Sequence, residues 1–131
     1  MDPKKILVID DDIDLVEIIR INLENAGYSV IDAQSGENGR KLAINQQPDL
    51  ILLDVMMDTI DEGFHTAYEL RKDEKTKNIP IVMLTAVTQQ TGFQFDKVGD
   101  EDFLPVDEFI EKPINPKKLI DVVRSHLTPT A

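Results

Sequence analysis

The sequence predicts an α/β fold in which a doubly wound, five-stranded parallel sheet carries helices on both faces. Three observations support this prediction. Short apolar runs alternate with amphipathic stretches at intervals of about 20 to 30 residues. The apolar runs show no regular polar alternation, which is typical of strands buried on both faces. The length of 131 residues suits one compact domain, and parallel strands joined this way have right-handed crossovers.

The first half of the chain contains three predicted strands and two predicted helices. The strands cover residues 4–9, 28–31 and 49–53, and aspartates follow the first and the third. The first helix has apolar residues at spacings of three and four, with an N-cap before it and a glycine after it. These residues are Ile13, Val16, Ile19 and Leu23, with Asp12 as the cap and Gly27 as the stop. The second helix begins at Ser35, contains Leu42 and Ile44, and stops before Pro48.

The second half of the chain continues the alternation of strands and helices, except in one segment. A third helix is predicted around Phe64, Ala67, Tyr68 and Leu70, strands over 80–84 and 109–110, and a last helix on Leu119, Val122, Val123 and Leu127. Between Thr88 and Val106 the chain carries Gly92, Gly99 and Pro105 and no helical stripe, so no helix is assigned there.

Composition excludes several classes of function. The 14 Lys and Arg against 25 Asp and Glu give a net charge of −11 without a basic cluster, so direct nucleic-acid binding is not expected. The absence of cysteine excludes disulfides and thiolate sites. No apolar run approaches the roughly 20 residues that span a bilayer, and the start lacks a secretion signal. We therefore expect a cytoplasmic protein without membrane contact, consisting of a single domain over 1–131 with no output domain.

Polar residues follow the predicted strands where a site is expected. Ligands of open parallel sheets bind at the carboxyl ends of the strands. Aspartates 10–12 follow the first strand, Asp54 the third, Thr85 the fourth and Lys112 the fifth. Clustered carboxylates repel one another unless a cation lies among them, and oxygen ligands with room for water and phosphate favour Mg²⁺. Lysine and threonine can bind phosphate oxygens, and an aspartate beside the ion can attack phosphorus to give an acyl phosphate.

Four segments together resemble the receiver domains of two-component response regulators, and the likeness covers essentially the whole chain. They read KILVIDDD at 5–12, DLILLDVMM at 49–57, PIVMLTA at 80–86 and FIEKP at 109–113. The resemblance implies a flavodoxin-like sheet of strand order 2-1-3-4-5. It also implies a phosphoacceptor signalling module of a phosphorelay.

The resemblance assigns a role to each site residue. Asp54 is the phosphoacceptor, and Asp10 and Asp11 are the acidic pair, with Asp11 the more direct Mg²⁺ ligand. The backbone carbonyl of Met56 is a further metal contact. Thr85 and Lys112 hold phosphoryl oxygens, Asp12 caps the helix, and Pro113 shapes the lysine turn, with a cis bond before it as one option. Thr85 and Phe109 form the switch, although Phe109 is equally consistent with an ordinary core aromatic.

The resemblance also implies partners and a limit to the chemistry. A sensor histidine kinase or a phosphotransfer protein donates the phosphoryl group, and an unidentified protein receives the signal. The chain is not an enzyme, since it catalyses only its own phosphorylation and dephosphorylation. The segment between Thr85 and Lys112 is about five residues longer than usual in this family. Either a shortened or missing helix or a harmless insertion would explain that length.

Two other functions remain open alternatives. Residues 10–12 contain the Asp-x-Asp of aspartate-based phosphatases of the haloacid dehalogenase type, which would make Asp10 the nucleophile. A degenerate receiver would act only as an unphosphorylated docking module. The residue that carries the phosphoryl group distinguishes all three, because a receiver uses Asp54.

Overall fold

Five strands and four helices make up the described part of the chain. The structure is a computed structural model and describes residues 3–54, 62–85 and 106–127. The strands are β1 (Lys5–Ile9), β2 (Ser29–Ala33), β3 (Leu50–Asp54), β4 (Ile81–Thr85) and β5 (Glu108–Glu111). The helices are α1 (Ile13–Asn25), α2 (Gly36–Gln46), α3 (Glu62–Lys72) and α4 (Pro116–Leu127). Each corresponds to a predicted element, with ends shifted by a few residues.

The strands form one parallel sheet in the order β2-β1-β3-β4-β5, which confirms the predicted fold. Its register decides where the site lies. Ile9 at the end of β1 pairs with Leu53, so Asp10 and Asp54 follow at the same level. Thr85 at the end of β4 pairs with Glu111 of β5, so Lys112 follows at the adjacent level. The polar residues that follow the strands therefore share one edge of the sheet.

Two apolar cores cover the two faces of the sheet, because successive side chains of a buried strand point to opposite sides. On one face α1 and α4 pack on alternate residues of β1, β3 and β4, and on the other face α2 and α3 pack on the residues between them. Leu7 and Val8 of β1 illustrate the division, since each is fully buried in a different core. Helices on both faces are thus confirmed.

Side-chain caps define the starts of α1 and α2, and a glycine follows the end of α1. Asp12 caps α1, because its Oδ1 accepts a hydrogen bond of 3.1 Å from Leu15 N. Ser35 caps α2 in the same way through Asn38 N at 3.2 Å. Gly27 lies just beyond α1 with a φ of +98°, a conformation that favours glycine. The predicted cap and stop of the first helix are both confirmed.

Some of the apolar residues that mark the predicted helices are exposed or only partly buried. Ile13, which belongs to the apolar pattern predicted for the first helix, is 63% exposed, and Tyr68 of the third helix is 39% exposed. Each lies away from the side of its helix that contacts the sheet. In α2 the buried positions are Gly36, Gly39 and Ala43, while Leu42 and Ile44 are only partly buried. Glycine allows close approach here, since a Cβ at residue 39 would lie 2.6 Å from Cγ1 of Ile9.

None of the helices within 3–54, 62–85 and 106–127 is both long and apolar enough to cross a membrane. The prediction for the segment between Thr88 and Val106 falls outside the described residues, apart from Val106 itself.

Candidate functional site

The carboxyl edge of the sheet brings three acidic side chains together. One carboxylate oxygen from each of Asp10, Asp11 and Asp54 lies within 4.8 Å of the other two. Asp10 is completely buried and Asp54 is 3% exposed, whereas Asp11 is exposed. The cluster therefore has a buried floor formed by two strand ends and an acidic rim in contact with solvent.

Lys112 reaches this cluster from β5. Its Nζ lies 3.1 Å from Oδ1 of Asp54 and 3.4 Å from Oδ2 of Asp10. Its backbone N donates a 2.7 Å hydrogen bond to the carbonyl oxygen of Thr85, which anchors the start of the side chain beside β4. The peptide bond between Lys112 and Pro113 is cis, the option considered from the sequence. The Lys112 ammonium group thus forms ion pairs with two buried carboxylates.

The two oppositely charged groups at the floor affect each other's pKa. Burial raises the pKa of Asp10 above its ordinary value of 3.8, and neither the Asp12 amide nor the Lys112 charge offsets this effect. Burial alone would lower the pKa of Lys112, but the charges of Asp10 and Asp54 outweigh it and raise that pKa. Lys112 is therefore protonated at neutral pH.

The arrangement fits a hard divalent cation. Oδ1 of Asp10 accepts a 2.9 Å hydrogen bond from the backbone N of Asp12. Within the described part of the chain, Oδ2 of Asp10 is buried and accepts no hydrogen bond, and its ion partner is Lys112. A buried carboxylate oxygen of this kind costs free energy unless a cation satisfies it. An all-oxygen donor set with one solvent-exposed side matches the preference of Mg²⁺.

Thr85 and Phe109 occupy neighbouring strands beside the cluster. Thr85 is the last residue of β4 and is buried, and its carbonyl oxygen holds the backbone of Lys112. Phe109 lies on β5 opposite Met83 and is partly buried against the core of the α2 and α3 face. Both positions agree with a switch. The packing of Phe109 agrees equally with a core role, so that choice stays open.

The structure brings the side chains of Asp10, Asp11, Asp54 and Lys112 together, and the backbone of Thr85 contacts that of Lys112. Met56 lies outside the described residues. Sequence reasoning missed the hydrogen bond from the Asp12 amide to the Asp10 carboxylate. The signal was present, because an aspartate two residues before an amide commonly accepts from it in an Asx-turn.

Comparison with known proteins agrees with this geometry. Residues 6–124 match the response regulator receiver domain. The chain is 41% identical over 126 residues to the DNA-binding dual master transcriptional regulator RpaA of Synechocystis sp., covering 96% of this chain and 50% of that protein. It is 40% identical over 116 residues to the alkaline phosphatase synthesis transcriptional regulatory protein PhoP of Bacillus subtilis, covering 88% and 45%.

A solved structure extends the likeness to three dimensions. The chemotaxis response regulator CheY4 of Vibrio cholerae superposes with a TM-score of 0.82 at 28% identity, over 95% of this chain and 99% of CheY4. The chain spans about half the length of the curated relatives that it matches. By sequence match and fold, the chain belongs to the response regulator receiver family, the phosphoacceptor domains of two-component systems.

Proposed function

We propose that this chain accepts a phosphoryl group on Asp54 in a Mg²⁺-dependent reaction and thereby changes a protein-binding surface. The observation that carries the proposal is the convergence of three carboxylates and the Lys112 ammonium at one edge of the sheet. The donor is a sensor histidine kinase or a phosphotransfer protein. The receiving protein downstream is unidentified.

Asp54 acts as the nucleophile in this proposal. One of its carboxylate oxygens forms a bond to phosphorus while the bond from phosphorus to the donor's imidazole nitrogen breaks, and that nitrogen keeps the electron pair and takes up a proton. The burial of Asp54 favours this role, because its side chain is almost completely shielded from water. Asp54 is also placed at hydrogen-bond distance from the Lys112 ammonium.

The other residues hold and orient the transferred group. Asp10, Asp11, Asp54 and the carbonyl of Met56 would hold Mg²⁺, which when bound supplies positive charge to the phosphoryl oxygens. Lys112 binds another phosphoryl oxygen, and its raised pKa keeps the ammonium charged at neutral pH. The hydroxyl of Thr85 donates to a third oxygen.

Thr85 and Phe109 pass the change to the surface. In the proposal, Thr85 moves toward the phosphoryl group and Phe109 follows it, which shifts the population between two packings around β5. The hydrogen bond between the Thr85 carbonyl and the Lys112 amide connects the end of β4 to the residue that follows β5. The output is a change in protein binding.

The remaining parts of the proposal concern scope. Residues 1–131 act as one receiver domain located in the cytoplasm. The signal leaves through protein contacts, and the net charge of −11 opposes direct binding of nucleic acid by this domain. The only reactions that it catalyses are its own phosphorylation and dephosphorylation.

The test is the intact mass of the protein after incubation with acetyl phosphate. Wild type is expected to gain one phosphoryl group with Mg²⁺ present and none after chelation, and Asp54→Ala is expected to gain none in either case. Asp11→Ala should lose most of the Mg²⁺-dependent gain. Asp14→Ala removes another acidic residue, in the first turn of α1, and should behave as wild type.

Other outcomes would contradict the proposal. Equal labelling of wild type and Asp54→Ala would exclude Asp54 as the acceptor. If neither acetyl phosphate nor a phosphorylated histidine donor labelled wild type, the chain would instead be an unphosphorylated docking module. If chelation left the labelling unchanged, the phosphorylation would not depend on Mg²⁺.

A further inference from the structure

We propose that Asp12 is a positioning residue for the metal site, acting through Asp10 and not by contact with the ion. By capping α1, Asp12 fixes the backbone amide that holds one oxygen of Asp10 and so directs the other oxygen into the cluster. This inference rests on the proposed Mg²⁺-dependent function. It adds Asp12 to the residues that determine how well Mg²⁺ binds.

The first step is the forward contact of Asp12. Its Oδ1 accepts from Leu15 N at 3.1 Å, and its carbonyl oxygen accepts from Val16 N at 3.0 Å. Its backbone is extended, with φ −88° and ψ 99°, as N-cap residues are. Side chain and backbone of Asp12 are therefore both held by the first turn of α1.

The second step is the backward contact. The N–H of Asp12 donates to Oδ1 of Asp10 at 2.9 Å. The direction of this N–H depends on the backbone angles of Asp12, which the cap fixes. The helix start and the orientation of the Asp10 carboxylate are thus parts of one hydrogen-bonded unit.

The third step is the consequence for the cluster. With Oδ1 of Asp10 occupied by the amide, Oδ2 is the oxygen that faces Lys112, at 3.4 Å from its Nζ. Oδ2 is also the oxygen that accepts no hydrogen bond among the described residues. A ligand oxygen that is already oriented costs less ordering when a cation binds. Without the cap, Mg²⁺ binding must also order the Asp10 carboxylate, so the affinity for Mg²⁺ falls.

The charge of Asp12 is the competing explanation, since any exposed acid near the cluster attracts a cation. Substitutions separate the two effects. Asparagine and serine retain an N-cap oxygen without the charge, whereas alanine removes both. Ser35→Ala removes the matching cap from α2, which follows β2, a strand that contributes no acid to the cluster.

The experiment is titration of the metal-free protein and these variants with MgCl₂, followed by backbone amide NMR shifts well below the melting temperature. We expect Asp12→Ala to weaken Mg²⁺ binding about fivefold, the factor that a cap of ordinary strength represents. Asp12→Asn and Asp12→Ser should stay within about twofold of wild type, as should Ser35→Ala. Equal weakening in Asn and Ala would assign the effect to charge and overturn the inference, and so would wild-type affinity in Asp12→Ala.

A second readout needs no metal. Hydrogen exchange of the residue 12 amide in metal-free protein should be slow in wild type and Asp12→Asn and clearly faster in Asp12→Ala. Slow exchange in Asp12→Ala would overturn the inference by showing that the contact with Asp10 survives without the cap. If wild type bound no Mg²⁺ at all, the proposed metal site would fail, while this exchange comparison would still decide whether the cap holds Asp10.

Discussion

Asp10 is buried with one carboxylate oxygen on the Asp12 amide and the other 3.4 Å from the Lys112 ammonium. Burial nevertheless raises its pKa, so the folded protein binds a proton at this site more readily than the unfolded chain does. Ionised Asp10 is therefore unfavourable for folding in the absence of a cation. A residue of this kind is typical of functional sites, where stability is lower than the fold alone would allow.

Asp10→Asn should stabilise the metal-free protein at neutral pH by about 1 kcal/mol, the lower end of what an unsatisfied buried polar group costs. Because the folded pKa is raised, the favourable contribution of the protonated carboxyl is present below 3.8 and is lost as pH rises through the folded pKa. The difference in the free energy of unfolding between Asp10→Asn and wild type should therefore grow as the pH rises from 3.8 through the folded pKa of Asp10. Urea unfolding in EDTA at several pH values measures it.

Asp14→Asn is the control for this comparison, because Asp14 lies exposed in the first turn of α1. It should show no comparable gain in stability. A loss of stability in Asp10→Asn at neutral pH would mean that the attraction to Lys112 outweighs the burial of the charge, which would contradict the account. The stabilised variant should also bind Mg²⁺ more weakly than wild type.

At the scale of elements, α2 packs unusually closely on the sheet. Its covered positions are Gly36, Gly39 and Ala43, and a Cβ at residue 39 would lie 2.6 Å from Cγ1 and 3.0 Å from Cγ2 of Ile9. Ile9 is the last residue of β1 and directly precedes Asp10. The glycine therefore sets the distance between a helix and the strand that carries the acidic pair.

Gly39→Ala should destabilise the protein by about 1 to 3 kcal/mol, because the overpacking cost exceeds the gain in helix propensity of up to about 1 kcal/mol. Ile9→Val in the same chain should recover part of the loss, because it removes the methyl group nearest to the added one. Asn45→Ala, at an exposed position of the same helix, should have little effect. Urea unfolding of the single and double variants checks this, and an unchanged Gly39→Ala midpoint would contradict the packing.

Periodicity predicted the existence of each described element but not every contact. The apolar runs of β1, β3 and β4 are unambiguous because those strands are buried on both faces. Ile13 belongs to the apolar pattern of α1 but is exposed, because spacing identifies an apolar stripe without showing where the stripe leaves the core. Gly39 was missed as a packing residue because a glycine adds nothing to a hydrophobic pattern, although small residues are what close packing requires.

At the scale of the whole molecule, parallel register accounts for the site. Asp10, Asp54, Thr85 and Lys112 are remote in sequence, yet each ends or follows a strand of one sheet, and in the register of that sheet they lie within two residues of one another. This is why the sequence was sufficient to predict that Asp10, Asp54 and Lys112 lie close together. It could not predict that one ammonium bridges two carboxylates, because that depends on side-chain reach and burial, which only the assembled structure defines.

The most direct test of the central claim is the identity of the residue that carries the phosphoryl group. Protein labelled with acetyl phosphate and Mg²⁺ is reduced with borohydride, which converts an aspartyl phosphate to homoserine, and the converted position is found by peptide mass spectrometry. The account predicts conversion at Asp54 alone. Conversion at Asp10 would contradict it and indicate the phosphatase type of chemistry instead.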